Sequence, residues 1–296
     1  MQHSIDSSIR HVLLHYHIFK NAGSTLDAIL ERNFGPSLAF LHTRDPNSVL
    51  TVSDVLSFLE SHKSIRAISS HHLRPPEPGN DAFVFVGVLI LRNPIDRLGS
   101  MYAYYRASDN DDPLARVAKQ AGMTAFLQRL VNEYPNIANN SQVVYLASSG
   151  RYTRPPRQAD LDKAVDMLNR QSLVMTTEMF DPSLVTAEYY LCPTFGKLDF
   201  SYVSQNVSAG RASSLESRLA EIKHACGEKL FQTLLDMNKL DLQLVDAANA
   251  EIERRFHLIP SSDERLESFK QRCRALAQPP ASASPARMVS SSSTAR

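Results

Sequence analysis

Tryptophan is absent from the 296 residues, and cysteine is nearly so: Cys192, Cys226 and Cys273 are the only three. Thiols so few and so far apart make neither a disulfide framework nor a metal knuckle, so reduced cysteines in a cytoplasmic protein are expected. Neither sign of charge dominates, since 32 Lys and Arg face 31 Asp and Glu for a formal net charge of +1. That balance excludes capture of nucleic acid by a broad basic field. Long apolar runs are missing too. The stretch from Val12 to Phe19 is interrupted by His15 and His17, which leaves it too short for a signal peptide or a membrane span. Neither G-x-G-x-x-G nor G-x-x-x-x-G-K-[S/T] occurs. The dinucleotide fingerprint and the Walker loop are thereby excluded.

What is present alternates. Arg10 to Ile18 and Phe83 to Leu91 are apolar runs suited to central strands, and Ile65 to Ser69 and residues 172–177 read as shorter ones. Helical spacing follows at 25–34, closed by Gly35-Pro36, then from a Ser53 cap, at 94–107, 114–121, 123–134, 160–170 and 182–191. Residues 213–256 read as a long helical pair broken near Gly227 or Asn238, and Ser261-x-x-Glu264 as a capping box for a last helix to Ala277. The fold class expected is α/β: three layers, P-loop-like, with a mostly parallel central sheet flanked by helices. A single domain over 1–277 and a disordered Pro/Ser/Ala-rich tail over 278–296 complete the organisation.

Two runs carry the chemistry. His17-Ile18-Phe19-Lys20-Asn21-Ala22-Gly23-Ser24-Thr25 joins a strand to a helix and offers a mobile cation, hydroxyls and backbone N–H groups at a helix start. Leu91-Arg92-Asn93-Pro94-Ile95-Asp96-Arg97-Leu98-Gly99-Ser100 places an arginine at a strand end and a serine about two helical turns on. Asn93-Pro94 is a helix start that needs no function. Arg97 reads as structural, paired with Asp96 or another carboxylate. Ligands of such sheets sit beyond the carboxyl ends of the strands, so Lys20, Arg92 and whatever follows the third strand should share a rim. Two anion grips on one rim suit a doubly anionic nucleotide.

Together these runs resemble the cosubstrate signatures of sulfotransferases that use 3′-phosphoadenosine 5′-phosphosulfate (PAPS). The likeness is to the carbohydrate branch that includes the heparan and dermatan sulfate 2-O-sulfotransferases, over about residues 10–110. The resemblance implies that Lys20 contacts the bridging oxygen and the transferring sulfuryl group. Within the same loop Asn21, Ala22, Gly23, Ser24 and Thr25 surround the 5′-phosphate, while Arg92 and Ser100 hold the 3′-phosphate. A histidine after a strand is the general base of that branch, and His71-His72 stands in the corresponding place. Adjacent residues of an extended chain point opposite ways, so one of the two reaches the site and the choice stays open. Asn206 and Arg211 fall where resembling enzymes close a loop over the nucleotide. The implied reaction moves a sulfuryl group from PAPS to an acceptor hydroxyl, with a carbohydrate as the leading acceptor and no metal. The alternatives are an ATP-dependent small-molecule or sugar kinase and a non-catalytic glycan-binding protein of the same fold. Enzymes of the resembling branch are anchored in the Golgi. No anchor is seen here, which implies a cytoplasmic, bacterial-type protein, or a Golgi-lumen one if an anchor precedes this sequence.

Weaker features remain. Arg151, Arg154 and Arg157 crowd a proline-stiffened segment that would suit an anionic acceptor. His15 and His17 alternate onto one strand face at a spacing that can hold a metal, but no neighbouring Cys or acidic pair completes a site, so a satisfied core pair is expected. Asp109 to Asp112 lacks the Gly and Glu of a calcium loop and reads as a solvated turn. Asn139-Asn140-Ser141-Gln142 reads equally as an acceptor contact or a helix cap.

Overall fold

A computed structural model describes residues 9–45, 48–109, 111–203 and 214–278. Five strands, β1 Arg10–Tyr16, β2 Leu38–Phe40, β3 Ala67–Ser70, β4 Phe83–Leu91 and β5 Leu173–Thr176, form one sheet in the order β2-β3-β1-β4-β5. All four pairings are parallel, so "mostly parallel" becomes wholly parallel. The helices are α1 Gly23–Phe34, α2 Val52–Ser61, α3 Pro94–Ala107, α4 Pro113–Gln120, α5 Gly122–Glu133 and α6 Pro135–Ala138. They continue with α7 Ser141–Ser148, α8 Gln158–Arg170, α9 Phe180–Phe195, α10 Leu215–Met237, α11 Lys239–His257 and α12 Ser262–Ala277.

Successive side chains of a strand point to opposite faces, and β1 shows what this does to the core. Val12, Leu14 and Tyr16 face a cluster with Val55 of α2, Leu146 of α7, Leu161 of α8 and Leu244 of α11. Leu13 faces Leu26 and Leu30 of α1, Leu184 of α9 and Phe269 of α12. These are the two outer layers around the sheet. A third cluster joins α3, α4, α5 and α10 around Leu98, Phe126 and Ile222. Among the described residues no helix is long and apolar enough to cross a membrane.

The strands β1 and β4 and the helix α3 lie where the apolar runs and the Asn93-Pro94 start place them. Other local signals lost to competitors. Thr51, not Ser53, caps α2, with Asp54 completing a reciprocal capping box. The expected box at Ser261 is not formed: Ser261 is left-handed, with φ 54°, and its side chain makes no cap bond. The long helical pair breaks at both suggested points, by a kink at Gly227 and a stop at Asn238. The strand β2 and the short helix α6 went unforeseen, and α7 starts in the Asn139-Asn140-Ser141-Gln142 run that also read as a helix cap, though Asn140 makes no side-chain cap bond. The three cysteines are free. Asn206, Arg211 and residues 279–296 of the tail lie outside the described residues.

The fully buried Asp241 of α11 accepts the N–H of Gln142 at 3.1 Å and of Val143 at 2.8 Å, donors that α7 leaves free at its start. Asp241→Ala should cost about 2 kcal/mol, since bonds to a charged acceptor are lost and two buried donors go unmet. Urea unfolding should show a lower midpoint at unchanged slope; an unchanged midpoint would remove Asp241 from this role.

Candidate active site

The loops that leave β1, β3, β4 and β5 end on the same rim of the sheet. After β1 the chain turns tightly, with Ile18 N–H on the Tyr16 carbonyl (2.9 Å) and Asn21 N–H on the Ile18 carbonyl (3.2 Å). Lys20 and Ala22 then adopt left-handed backbone, φ 66° and 59°. For residues with a Cβ this costs about 1 kcal/mol or more each, so something must hold the loop. The second run supplies it. Arg92 Nη1 donates to the Lys20 carbonyl at 2.8 Å, and Arg97 Nε donates to the Phe19 carbonyl at 3.0 Å. Asn21 Nδ2 donates to the Ile90 carbonyl and to Gln142 Oε1, both at 2.8 Å. Asn21 is 1% exposed. Its amide nitrogen pins the loop from inside, while its Oδ1 is buried without a partner among the described residues.

The helix start that follows is open. Ala22 provides no side-chain cap and the first turn of α1 holds no acid. The N–H groups of Gly23 and Ser24 reach no carbonyl among the described residues, whereas Thr25 N–H returns to the Ala22 carbonyl at 3.0 Å. Ser24 is exposed and Thr25 buried. Free first-turn donors and the helix dipole together attract an anion. Lys20 is half-buried with Nζ 4.7 Å above the Tyr104 ring. Burial, and then neighbouring Arg92, draw its pKa below the ordinary lysine value.

Arg92 itself is turned inward. It is 5% exposed, and its Nε and Nη2 donate to Asp96 Oδ2 at 3.0 and 2.8 Å. Asp96 also accepts Arg218 Nε from α10 at 2.8 Å. Arg92, which the resemblance assigns to a 3′-phosphate, is bonded to Asp96 and the loop, as a buried guanidinium needs partners. Arg97 is structural as expected, but its partners are the Phe19 carbonyl and Ser141 Oγ (2.7 Å) instead of a carboxylate side chain. Burial lowers its pKa to about 10. Asn93 Oδ1 accepts from Ile95 N and Asp96 N, capping α3. Ser100 lies two turns along α3, half-buried.

The two adjacent histidines separate cleanly. His72 is buried, its Nδ1 engaged by Thr43 Oγ1 (3.1 Å) and the Ser48 carbonyl (2.9 Å). His71 is exposed, and its Nδ1–H donates to the His17 carbonyl at 2.8 Å, which leaves Nε2 with a lone pair. Its ring lies 3.9 Å from the His17 ring. The part of the ring covered by its neighbours, and then the nearby His17, pull its pKa down to about 4.

Below His71 sits a cluster that sequence reasoning underrated. His15 Nδ1–H donates to Asp27 Oδ1 and His17 Nδ1–H to Asp27 Oδ2, each at 2.9 Å, and Ser69 Oγ donates to Asp27 Oδ1 at 2.6 Å. An acid therefore does complete the histidine pair; it comes from α1, ten residues on. Ligand-type atoms of the three lie within 4.8 Å of one another, yet hydrogen bonds already satisfy the atoms that face Asp27. Burial raises the Asp27 pKa, but the bonds from His15 and His17 outweigh it and hold the carboxyl well below its usual range. Burial lowers the His15 pKa. Gly23 makes room: a Cβ there would fall 2.2 to 2.8 Å from Cδ2, Nε2 and Cε1 of His17.

Two more residues frame the rim. Glu178, just past β5, accepts the Asn93 N–H at 2.8 Å, keeps Oε2 buried and unpartnered, and has its pKa raised by burial. It was missed, although a lone acid after a short apolar strand was a visible signal. Arg74 Nη1 donates to the His71 carbonyl at 2.6 Å, and its guanidinium borders Gly150. The arginine-rich segment thus begins beside His71. Arg151, Arg154 and Arg157 are all exposed, but Arg154 is paired with Asp160 at 2.7 Å and is not free for an acceptor.

Gly23→Ala should push the His17 ring off Asp27 and cost about 1–3 kcal/mol by overpacking, read as a drop in Tm. Acid should also weaken the fold. His15 and His71 bind protons less readily folded than unfolded, so their contribution is present above about pH 6.5 and is lost as pH falls towards 4. The depressed Asp27 carboxyl adds its own loss below about pH 4. A flat Tm from pH 7 to pH 4 would contradict this electrostatic picture.

No family model matches the chain. It is similar to an uncharacterized protein of Archaeoglobus fulgidus, 27% identical over 244 residues that make up 79% of this chain and 94% of the relative.

Proposed function

We propose that the protein is a PAPS-dependent sulfotransferase acting on an acceptor hydroxyl, with a carbohydrate as the acceptor class. One observation carries the reading: the lysine of the first run stands beside an open helix start, in a loop whose backbone is held by both arginines of the second run. The anionic 5′-phosphosulfate would lie on the N–H groups of Gly23 and Ser24 with the hydroxyls of Ser24 and Thr25. Lys20 Nζ would stabilise the oxygen that bridges phosphorus and sulfur as that bond breaks, and a depressed pKa makes it a readier proton donor to the leaving phosphate. His71 Nε2 would take the proton of the acceptor hydroxyl as the new oxygen–sulfur bond forms in line with the leaving group. His72 is unsuited, being buried and engaged. Ser100 remains a candidate for the 3′-phosphate. Exposed Arg151 and Arg157, on the segment that begins beside His71, would meet an anionic acceptor. The three free thiols suit a cytoplasmic setting.

Lys20→Ala should reduce transfer roughly 10²–10³-fold, the usual loss when one transition-state donor is removed. The fold should persist, because Arg92 holds the carbonyl of residue 20 and not its side chain. Full activity in this variant would end the proposed role. Thermal shift separates the competing functions. The 3′,5′-bisphosphate product PAP should raise Tm at low concentration. A shift with ATP–Mg²⁺ alone would point to a kinase, and a shift with anionic glycans alone to a binding protein.

A further inference from the structure

Two imidazoles and a carboxylate meet beneath the rim. His15 on β1 and His17 just past its end stand two positions apart, on one face of the extended chain. Their rings are stacked, with centroids 5.0 Å apart and planes 23° off parallel. Both present Nδ1 to Asp27 of α1, His15 at 2.9 Å from Oδ1 and His17 at 2.9 Å from Oδ2. Ligand-type atoms of all three lie within 4.8 Å of one another. Tetrahedral ligands held at about 2.1 Å from a zinc ion stand roughly 3.4 Å apart, so each contact needs to open by only about half an ångström. An outer contact is in place as well. Ser69 Oγ on β3 donates to Asp27 Oδ1 at 2.6 Å, the kind of partner that orients a ligating carboxylate. The partners of Asp27 among the described residues are these two rings and Ser69, with no lysine or arginine to neutralise it. Its side chain is 18% exposed, which leaves an entry path from solvent.

We propose that His15, His17 and Asp27 bind one divalent ion of the zinc class, which braces β1 against α1. The ion takes the place of the two protons now shared with Asp27. Each ring stays neutral by carrying its proton on the other nitrogen, and a water completes the four ligands. Imidazole mixed with carboxylate suits a first-row ion such as Zn²⁺, whereas Ca²⁺ and Mg²⁺ prefer oxygen ligands throughout. The only formal charge of the three side chains is that of Asp27, which a dication more than balances. The brace stands beside the proposed transfer centre without entering it. Sulfuryl transfer as read above uses no ion, and the site stands whether or not that chemistry occurs above it. What the ion fixes is His17, whose carbonyl receives the Nδ1–H of His71 at 2.8 Å. The placing of the His71 ring thus depends on the same tie between β1 and α1.

The test uses the full chain without an affinity tag, stripped by a chelator and then given Zn²⁺ alone. Calorimetric titration should show one equivalent bound, and Tm should rise with the ion and fall back on adding EDTA. X-ray absorption of the chain loaded with Co²⁺ should show nitrogen and oxygen ligands at about 2.0–2.2 Å, with imidazole scattering and no sulfur. Ser69→Ala should bind Zn²⁺ roughly tenfold more weakly, the loss expected for an outer partner. His17→Gln and Asp27→Asn should lose more than Ser69→Ala, while His224→Gln, at an exposed position on α10, should bind like the wild type. A wild-type chain that takes up less than one equivalent, a Co²⁺ site with sulfur or without imidazole, or a His17→Gln variant of unchanged affinity overturns the proposal. The wild-type measurements need no variant to fold. PAP serves as the separate probe. A thermal shift with PAP and none with Zn²⁺ removes the metal site and leaves the proposed function standing; the converse removes that function and leaves the metal site.

Discussion

Two buried guanidinium groups holding two peptide carbonyls are the constraint on which the rest of the rim depends. Arg92 stands between β4 and the Asn93 cap of α3, Arg97 lies within the start of α3, and each donates to a carbonyl of the β1–α1 loop. Without them the loop would relax from a backbone that two non-glycine residues enter at their own cost. The charges are bearable because each is bonded: Arg92 to Asp96, which it shares with Arg218, and Arg97 to Ser141 and a carbonyl. A buried cation without such partners would destabilise the fold by several kcal/mol. The same bonds that keep these charges inside therefore shape the loop outside.

The clamp is itself supported from behind. Gln142, fully buried, accepts the Arg92 N–H and an Asn21 N–H through Oε1 and returns a bond from Nε2 to the Arg92 carbonyl. Asp241 of α11 holds the start of the helix that carries Gln142. Elements far apart in sequence, near residues 21, 92, 142 and 241, thus form one polar wedge at the carboxyl end of an otherwise apolar sheet. Satisfied buried networks of this kind specify one arrangement of the parts they join. The loop owes its rigidity less to its own sequence than to this wedge.

Much of the frame was legible along the chain. β4 is a nearly unbroken apolar run and β1 a mostly apolar one, and α3 is marked by Asn93-Pro94 with Asp96 behind it. β2 and α6, three and four residues long, were not legible, and α7 was marked only by the helix-cap reading of Asn139-Asn140-Ser141-Gln142. The site divided in the same way. Lys20 and the open helix start are local features and could be read. The inward turn of Arg92 was readable in principle, since Asp96 stands four residues on along a helix, but a strand-end arginine suggests solvent equally well. The choice between His71 and His72 depended on which side of β3 each faces, and no pattern in two residues reveals that. Asp27 escaped because its neighbours His15 and His17 lie back along the preceding strand, a meeting that exists only once α1 has folded over β1.

The left-handed backbone at Lys20 has a consequence of its own. Glycine would occupy φ 66° with no steric penalty, so a chain selected only for folding would drift to glycine here. The lysine is therefore a standing sacrifice of stability, kept in place by whatever its amine does. Because the clamp grips the carbonyl and leaves the side chain alone, the sacrifice is also reversible. A descendant that lost the amine would keep the fold and gain stability.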